Sequence, residues 1–129
     1  MWMLDTDTVS FALRGEGGVA AELRQRTPAE IRVSSITAAE LWFGVERRRS
    51  TKLRRIVSAF LDSVEVLPFD AAAAQRYGKV AAILADRGKT IGAFDAMIAA
   101  HALLTKAVLV THNLAHFRQV PGLAIDDWY

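Results

Sequence analysis

No cysteine occurs anywhere in the 129 residues. Disulfides and thiolate zinc sites are thereby excluded, which suits a reducing cytosol. Nor is there an uncharged apolar run near the roughly 18 residues needed to span a bilayer. The start of the chain carries Asp5 and Asp7, where a signal peptide wants basic residues followed by an apolar stretch. These absences point to a cytoplasmic protein with no membrane association. Low-complexity tracts, internal repeats and linkers are missing too, so the chain reads as one domain over residues 1–129. The turn Gly15-Glu16-Gly17-Gly18 lacks the Lys-Ser/Thr of a phosphate loop, which argues against a P-loop nucleotide-binding protein.

What is present is a large apolar share, 52%, enough for a real core. The net charge of +2 hides an asymmetry. Arg47, Arg48, Arg49, Lys52, Arg54 and Arg55 fall within nine residues that contain no acid. Such a cluster suits a phosphate backbone, or equally a solvated helix face. Its spacing decides neither, because Arg47 to Arg49 point around a helix rather than along one side.

Short apolar strands alternate with amphipathic helices. Residues 1–5 read as a buried strand ending in Asp5, followed by helices near 7–14 and 18–26. Ile31-Arg32-Val33-Ser34 is a short strand, and helices follow at about 37–48 and 51–61. Residues 64–67 alternate like a strand. Asp70 is a good N-cap for a helix over 71–87 that Gly88 closes. A helix over about 93–105 precedes the clearest strand, Ala107-Val108-Leu109-Val110-Thr111. A short helical turn and a last strand near 123–125 complete the chain. This alternation implies a parallel sheet covered on both faces.

Three acids interrupt apolar surroundings: Asp5, Glu40 and Asp95. Burying a carboxylate needs a compensating partner. Three brought together repel one another unless a hard divalent cation holds them, a constellation that points to metal-dependent phosphoryl chemistry. In open parallel sheets, sites gather beyond the carboxyl ends of the strands where strand order reverses. Asp5 ends the first strand, and Thr111 and Asn113 close another at the same edge. Each acid also has an ordinary reading. Asp5 or Asp7 suits a helix cap, Thr37-Ala38-Ala39-Glu40 matches a capping box, and Asp95 complements a helix dipole. Ala99 and Ala102 share a helix face with Asp95 and leave room beside its carboxylate.

The remaining chemistry-bearing residues are few. His112 and His116 have the spacing of half a zinc site, yet no third ligand lies close in sequence and structural or solvated roles suit them. His101 sits on an apolar helix face. Trp2, Trp42, Phe60, Phe69 and Phe94 fit a core rather than a base-stacking platform.

Four blocks in register resemble the PIN-domain ribonucleases. They are Met3-Leu4-Asp5-Thr6-Asp7, Ser35-Ile36-Thr37-Ala38-Ala39-Glu40-Leu41 and the run from Gly92 to Ala102 around Asp95. The fourth is Val110-Thr111-His112-Asn113, with Phe117, Val120, Pro121-Gly122-Leu123 and Asp127-Trp128 after it. The chain is most similar to VapC, the toxin of VapBC toxin–antitoxin systems.

The resemblance implies a three-layer α/β/α sandwich around a mostly parallel sheet of 4–5 strands. It implies a metal-dependent endoribonuclease toxin that cuts structured RNA such as tRNA. Asp5, Glu40 and Asp95 become its catalytic acids, with Asp5 and Asp95 binding Mg2+ or Mn2+. Glu40 either completes the metal's surroundings or orients a water as general base. The fourth family position falls at Asn113, often an acid in relatives and here neutral, which leaves the metal count open at one or two. Thr6, Asp7 and Thr111 stand as supporting groups. Arg47, Arg48, Arg49, Arg54, Arg55 and His112 are candidate RNA contacts. The expected partners are a VapB-like antitoxin and a second copy of the chain, within a larger toxin–antitoxin assembly. The expected products are a 5′-phosphate and a 3′-hydroxyl. Asn113 keeps open an alternative, a catalytically weak PIN-like module that binds RNA or a partner without cutting.

Overall fold

The first strand, β1 (Trp2–Leu4), explains how the layers form. Successive strand side chains point to opposite faces. Met3 enters one apolar cluster and Leu4 the other, and both are fully buried. The computed structural model describes all residues from Met1 to Tyr129. After β1 come α1 (Thr6–Arg14), α2 (Val19–Arg24), β2 (Ile31–Ser34), α3 (Ser35–Arg48), α4 (Thr51–Ser63) and β3 (Glu65–Leu67). Then follow α5 (Ala71–Asp86), α6 (Ala93–Thr105), β4 (Val108–Val110), α7 (Leu114–Phe117) and β5 (Ile125–Asp126).

The strands form one five-stranded sheet in the order β3-β2-β1-β4-β5, and every neighbouring pair is parallel. Trp2 pairs with Ile31 on one side and Val108 on the other. One face packs Met3 and Leu109 against Val80 and Leu84 of α5, Ile98 and Ala99 of α6, and Phe117 of α7. The opposite face packs Leu4, Val33 and Val110 against Val9, Val19, Leu41, Val45 and Val57 of α1 to α4. The result is the expected α/β/α sandwich. Fully burying one such side chain contributes roughly 1.5–3 kcal/mol, so both layers are needed. No helix is long and apolar enough to cross a membrane.

Several boundaries differ from the sequence reading, each for a local reason. Asp5 lies beyond β1 as the N-cap of α1, where its side chain accepts from the Thr8 amide. Helix α3 begins at Ser35, because the Ser34 hydroxyl accepts from the Ile36 amide at 3.1 Å and turns β2 directly into the helix. The capping box expected at Thr37–Glu40 is therefore absent: both residues lie inside α3. A box does form at Thr27–Glu30, where the Glu30 carboxylate accepts from the Thr27 amide at 3.0 Å. Asp70 caps α5 as expected, accepting from Ala73. Ala99 and Ala102 are fully buried in the core, so they leave no room for a ligand beside Asp95.

Candidate active site

The chain runs β1 to β2 to β3 on one side of the sheet, then crosses to β4 and β5 on the other. Strand order thus reverses between β1 and β4, where a crevice opens at the carboxyl ends of parallel strands. Asp5 follows β1 at this edge, and its backbone amide donates to Val110 O at 3.1 Å, tying it to the end of β4. Its side chain is almost fully buried. One carboxylate oxygen accepts the Thr8 amide at 2.8 Å, so Asp5 is a helix cap and a crevice acid at once.

Glu40 comes from the second turn of α3. Thr6, the first residue of α1, donates its hydroxyl to Glu40 Oε1 at 2.6 Å and lies 3.3 Å from the Thr37 hydroxyl oxygen. Asp95 sits in the first turn of α6, and its Oδ2 is 3.1 Å from His116 Nε2. The same His116 nitrogen lies 2.9 Å from Ile91 O, which fixes the ring between α6 and the segment leading into it.

All three acids hold their protons more tightly than ordinary carboxyls. For Asp5 the cause is burial, offset by hydrogen bonds from Thr111 and Thr8, with the Asp7 charge pushing further upward. For Glu40 burial again leads, offset by the Thr6 hydroxyl and reinforced by the charges of Asp95, Asp7 and Asp5. Asp95 is raised by burial and by Asp7, against the lowering influence of His116. Acids from three distant stretches of chain therefore meet at one edge of the sheet, with Glu40 feeling the charges of Asp95, Asp7 and Asp5.

Such a group fits a hard divalent cation in donor chemistry: carboxylates, threonine hydroxyls and the Asn113 amide are all oxygen donors. A cation there would relieve both the repulsion and the burial penalty. No three of the His, Asp and Glu side chains stand close enough together to hold an ion as they are. The fit is thus one of chemistry and charge rather than of a preformed cage.

Other expected residues divide by location. Thr111 is fully buried and its hydroxyl accepts from the Asn113 amide at 3.1 Å. Asn113 and Asp7 are exposed, and together with Phe11 and His112 they line a recess of about 230 Å³. His112 stacks on Tyr129 at 4.2 Å between ring centroids and pairs with Asp127 at 3.0 Å. The two histidines four apart thus reach different acids and do not share a site.

Among the basic residues, only Arg48 of the predicted set enters the cleft that Thr6 and Glu40 line. Arg54 pairs with Glu46 instead. Arg47, Arg49 and Arg55 are exposed on the surface.

Arg14, His116, Phe43 and Phe94 are the neighbours that sequence reasoning missed. Arg14 shares the cleft with Arg48, and no local pattern in the sequence marks it. His116 was visible as a histidine, but its contact with Asp95 spans 21 residues. Phe94 is 56% exposed rather than part of the core, and with Phe43 it flanks Glu40.

A parallel sheet with acids gathered at its switch point agrees with the resemblance to PIN domains, and the PIN domain profile matches residues 2–123. The tRNA(fMet)-specific endonuclease VapC of Salmonella typhimurium is 36% identical over 98% of this chain and 97% of its own length. The Shigella flexneri protein of the same name is 34% identical with the same coverage. In structure, DNA-bound VapBC from Salmonella typhimurium matches with a TM-score of 0.89 at 36% identity, over 99% of this chain and 98% of that one. VapBC2 from Rickettsia felis, bound to a promoter DNA fragment, matches at 0.88 and 30% identity with the same coverage. The chain belongs to the PIN-domain family and, within it, to the VapC proteins.

Proposed function

We propose that this protein is a metal-dependent endoribonuclease, the toxin of a type II toxin–antitoxin pair, that hydrolyses phosphodiester bonds in structured RNA. The observation that carries this reading is the gathering of Asp5, Glu40 and Asp95 at the β1/β4 switch point, where Glu40 feels the charges of the other two and Asp7 acts on all three. Relatives named as ribonucleases and tRNA endonucleases across nearly the whole length support it. Transfer RNA is the proposed substrate class, with the initiator tRNA the first to try.

In this reading Asp5 and Asp95 hold Mg2+ or Mn2+, which when bound polarises the phosphoryl oxygens and activates the attacking water. The chain's own residues do the rest. The Thr8 amide holds one Asp5 oxygen in place. His116 fixes the Asp95 carboxylate from the side. Glu40, aimed by the Thr6 hydroxyl and holding protons more tightly than usual, accepts the proton from water as general base. Thr111, buried at the end of β4, hydrogen-bonds the Asp5 carboxyl, while Asn113 and Asp7 line the adjoining recess. Arg14 and Arg48 in the cleft beside Glu40 suit a phosphate of the RNA backbone. Water attack leaves a 5′-phosphate and a 3′-hydroxyl, and 2′,3′-cyclic ends would rule this chemistry out.

The VapBC assemblies among the structural relatives support a VapB-like antitoxin as partner, and a homodimer within a larger toxin–antitoxin assembly is part of the same proposal. An RNA target and a chain free of cysteine fit a cytoplasmic location. A module that binds RNA without cutting is the second reading, favoured by the neutral Asn113 at the crevice. Incubating purified protein with tRNA and magnesium separates the two. Wild type should cut at discrete positions, and Asp5→Asn, which keeps the cap and removes the charge, should lose at least about 100-fold of the rate with an unchanged melting profile. Equal cutting by a folded Asp5→Asn protein defeats the assignment.

A further inference from the structure

The two most exposed large apolar side chains of the molecule sit together. Phe43 is 67% exposed and Phe94 56%. With Ala39, Thr6 and Glu40 they line one cavity of about 540 Å³, within the roughly 300–1,000 Å³ typical of ligand sites. Neither ring packs against another aromatic of the chain. Their placement is tied to the acids by local geometry. Phe43 is three residues after Glu40 on α3, hence on the same side of that helix. Phe94 immediately precedes Asp95 at the start of α6.

We infer that Phe43 and Phe94 form a nucleobase subsite, which stacks one unpaired base of the RNA beside the phosphodiester that is cut. The inference rests on the ribonuclease reading above and adds which part of the substrate is held, and where. Aromatic faces bind bases of any sequence through stacking, worth roughly 1–3 kcal/mol per base. The shared carboxylate, with no cationic residue in the lining to offset it, decides what kind of group enters this cavity. Glu40 repels a phosphate, whereas it accepts hydrogen bonds from the ring and exocyclic N–H groups of a base. The cationic groups Arg14 and Arg48 line a separate cleft, which shares Thr6 and Glu40 with this cavity. An RNA strand passing Glu40 thus meets aromatic surface in one cavity and guanidinium groups in the next. Stacking sets the register of the strand over the acids. It also demands a base free of its helix, which restricts cutting to loops and single strands.

The test is anisotropy binding of a fluorescein-labelled mixed-sequence single-stranded oligoribonucleotide, in EDTA to prevent cutting, beside a fully abasic oligomer of equal length. Phe43→Ala and Phe94→Ala should each weaken binding of the normal oligomer about 5- to 100-fold. Phe43→Trp should keep it, and the abasic oligomer should bind wild type and Ala variants alike. The salt dependence, set by phosphate contacts, should not change. Parallel cleavage of tRNA with magnesium keeps the two readings apart. Ala variants that melt and bind like wild type, while wild type cuts RNA, overturn the subsite and leave the nuclease standing. Loss of oligomer binding in the Ala variants with no cutting by wild type supports the subsite and removes the nuclease. If wild type neither binds nor cuts, both fall. Unchanged RNA affinity with loss of the dimer, or of a bound antitoxin, gives the aromatic pair to that partner and overturns the subsite.

Discussion

His116 shows how much of the site is decided by single contacts between distant residues. Its Nε2 reaches both Ile91 O and Asp95 Oδ2, so the ring braces the acid against the approach to α6. It does not touch the cleft that Glu40 lines, and its role is positioning. Removing such a support typically costs 10- to 100-fold in metal affinity or rate. His116→Ala should lower kcat on tRNA by about 10-fold with KM little changed, and His116→Gln should recover part of the loss. A matched rise in KM with kcat intact would assign His116 to substrate binding instead. At this scale Asp5, Glu40 and Asp95 were legible in the sequence, because an acid amid apolar residues is costly wherever it lies. Arg14, Phe43 and His116 were not. Each acquires its role from a neighbour that only the assembled layers supply.

Among the elements, α6 carries the most consequential start. Gly92, its N-cap, adopts φ 79° and ψ 150°, a region essentially closed to residues with a side chain. A Cβ there would meet nothing within 4 Å, so the requirement comes from the backbone alone. The bend sets the direction in which Phe94 and Asp95 leave the loop. Gly92→Ala should therefore destabilise by roughly 1–3 kcal/mol and impair cleavage at temperatures where the protein remains folded. Thermal melting beside single-turnover cleavage checks both effects, and an unchanged melt would remove the strain argument. Helix extents were readable from apolar period and caps, as at Asp70 and α5. The start of α3 was not, because Ser34 and Thr37 are both credible caps and only the pairing of β2 selects Ser34. That choice put Glu40 inside a helix facing Thr6, rather than folded back on the Thr37 amide.

The whole molecule gathers charges of one sign that no single segment contains. β1, α3 and α6 meet at the switch point, and the acids there are held above their ordinary proton affinities by burial first and then by neighbouring carboxylates, Asp7 acting on all three. A carboxyl raised in this way destabilises the fold once pH exceeds its folded value. Below its unfolded value, near 4.5 for glutamate, that penalty vanishes. Glu40→Gln should therefore melt above wild type at pH 7.5, and the gap should close as pH falls toward 4.5. Magnesium or manganese should raise the wild-type melting temperature at pH 7.5, by linkage, more than that of Asp95→Asn. A Glu40→Gln protein that melts below wild type at neutral pH contradicts the repulsion. The parallel order and its crevice could be anticipated from the alternation of strands and helices. The absence of a preformed three-ligand cage could not, since ligating distances depend on side-chain placement.

The most direct measurement is end-mapped cleavage of a total small-RNA pool by wild type and Asp95→Asn, with magnesium, manganese or EDTA. Discrete cuts carrying 5′-phosphates, present only with wild type and divalent metal, are the expected result. Cutting that survives both EDTA and Asp95→Asn, or no cutting by folded wild type in either metal, would contradict an acid-centred nuclease.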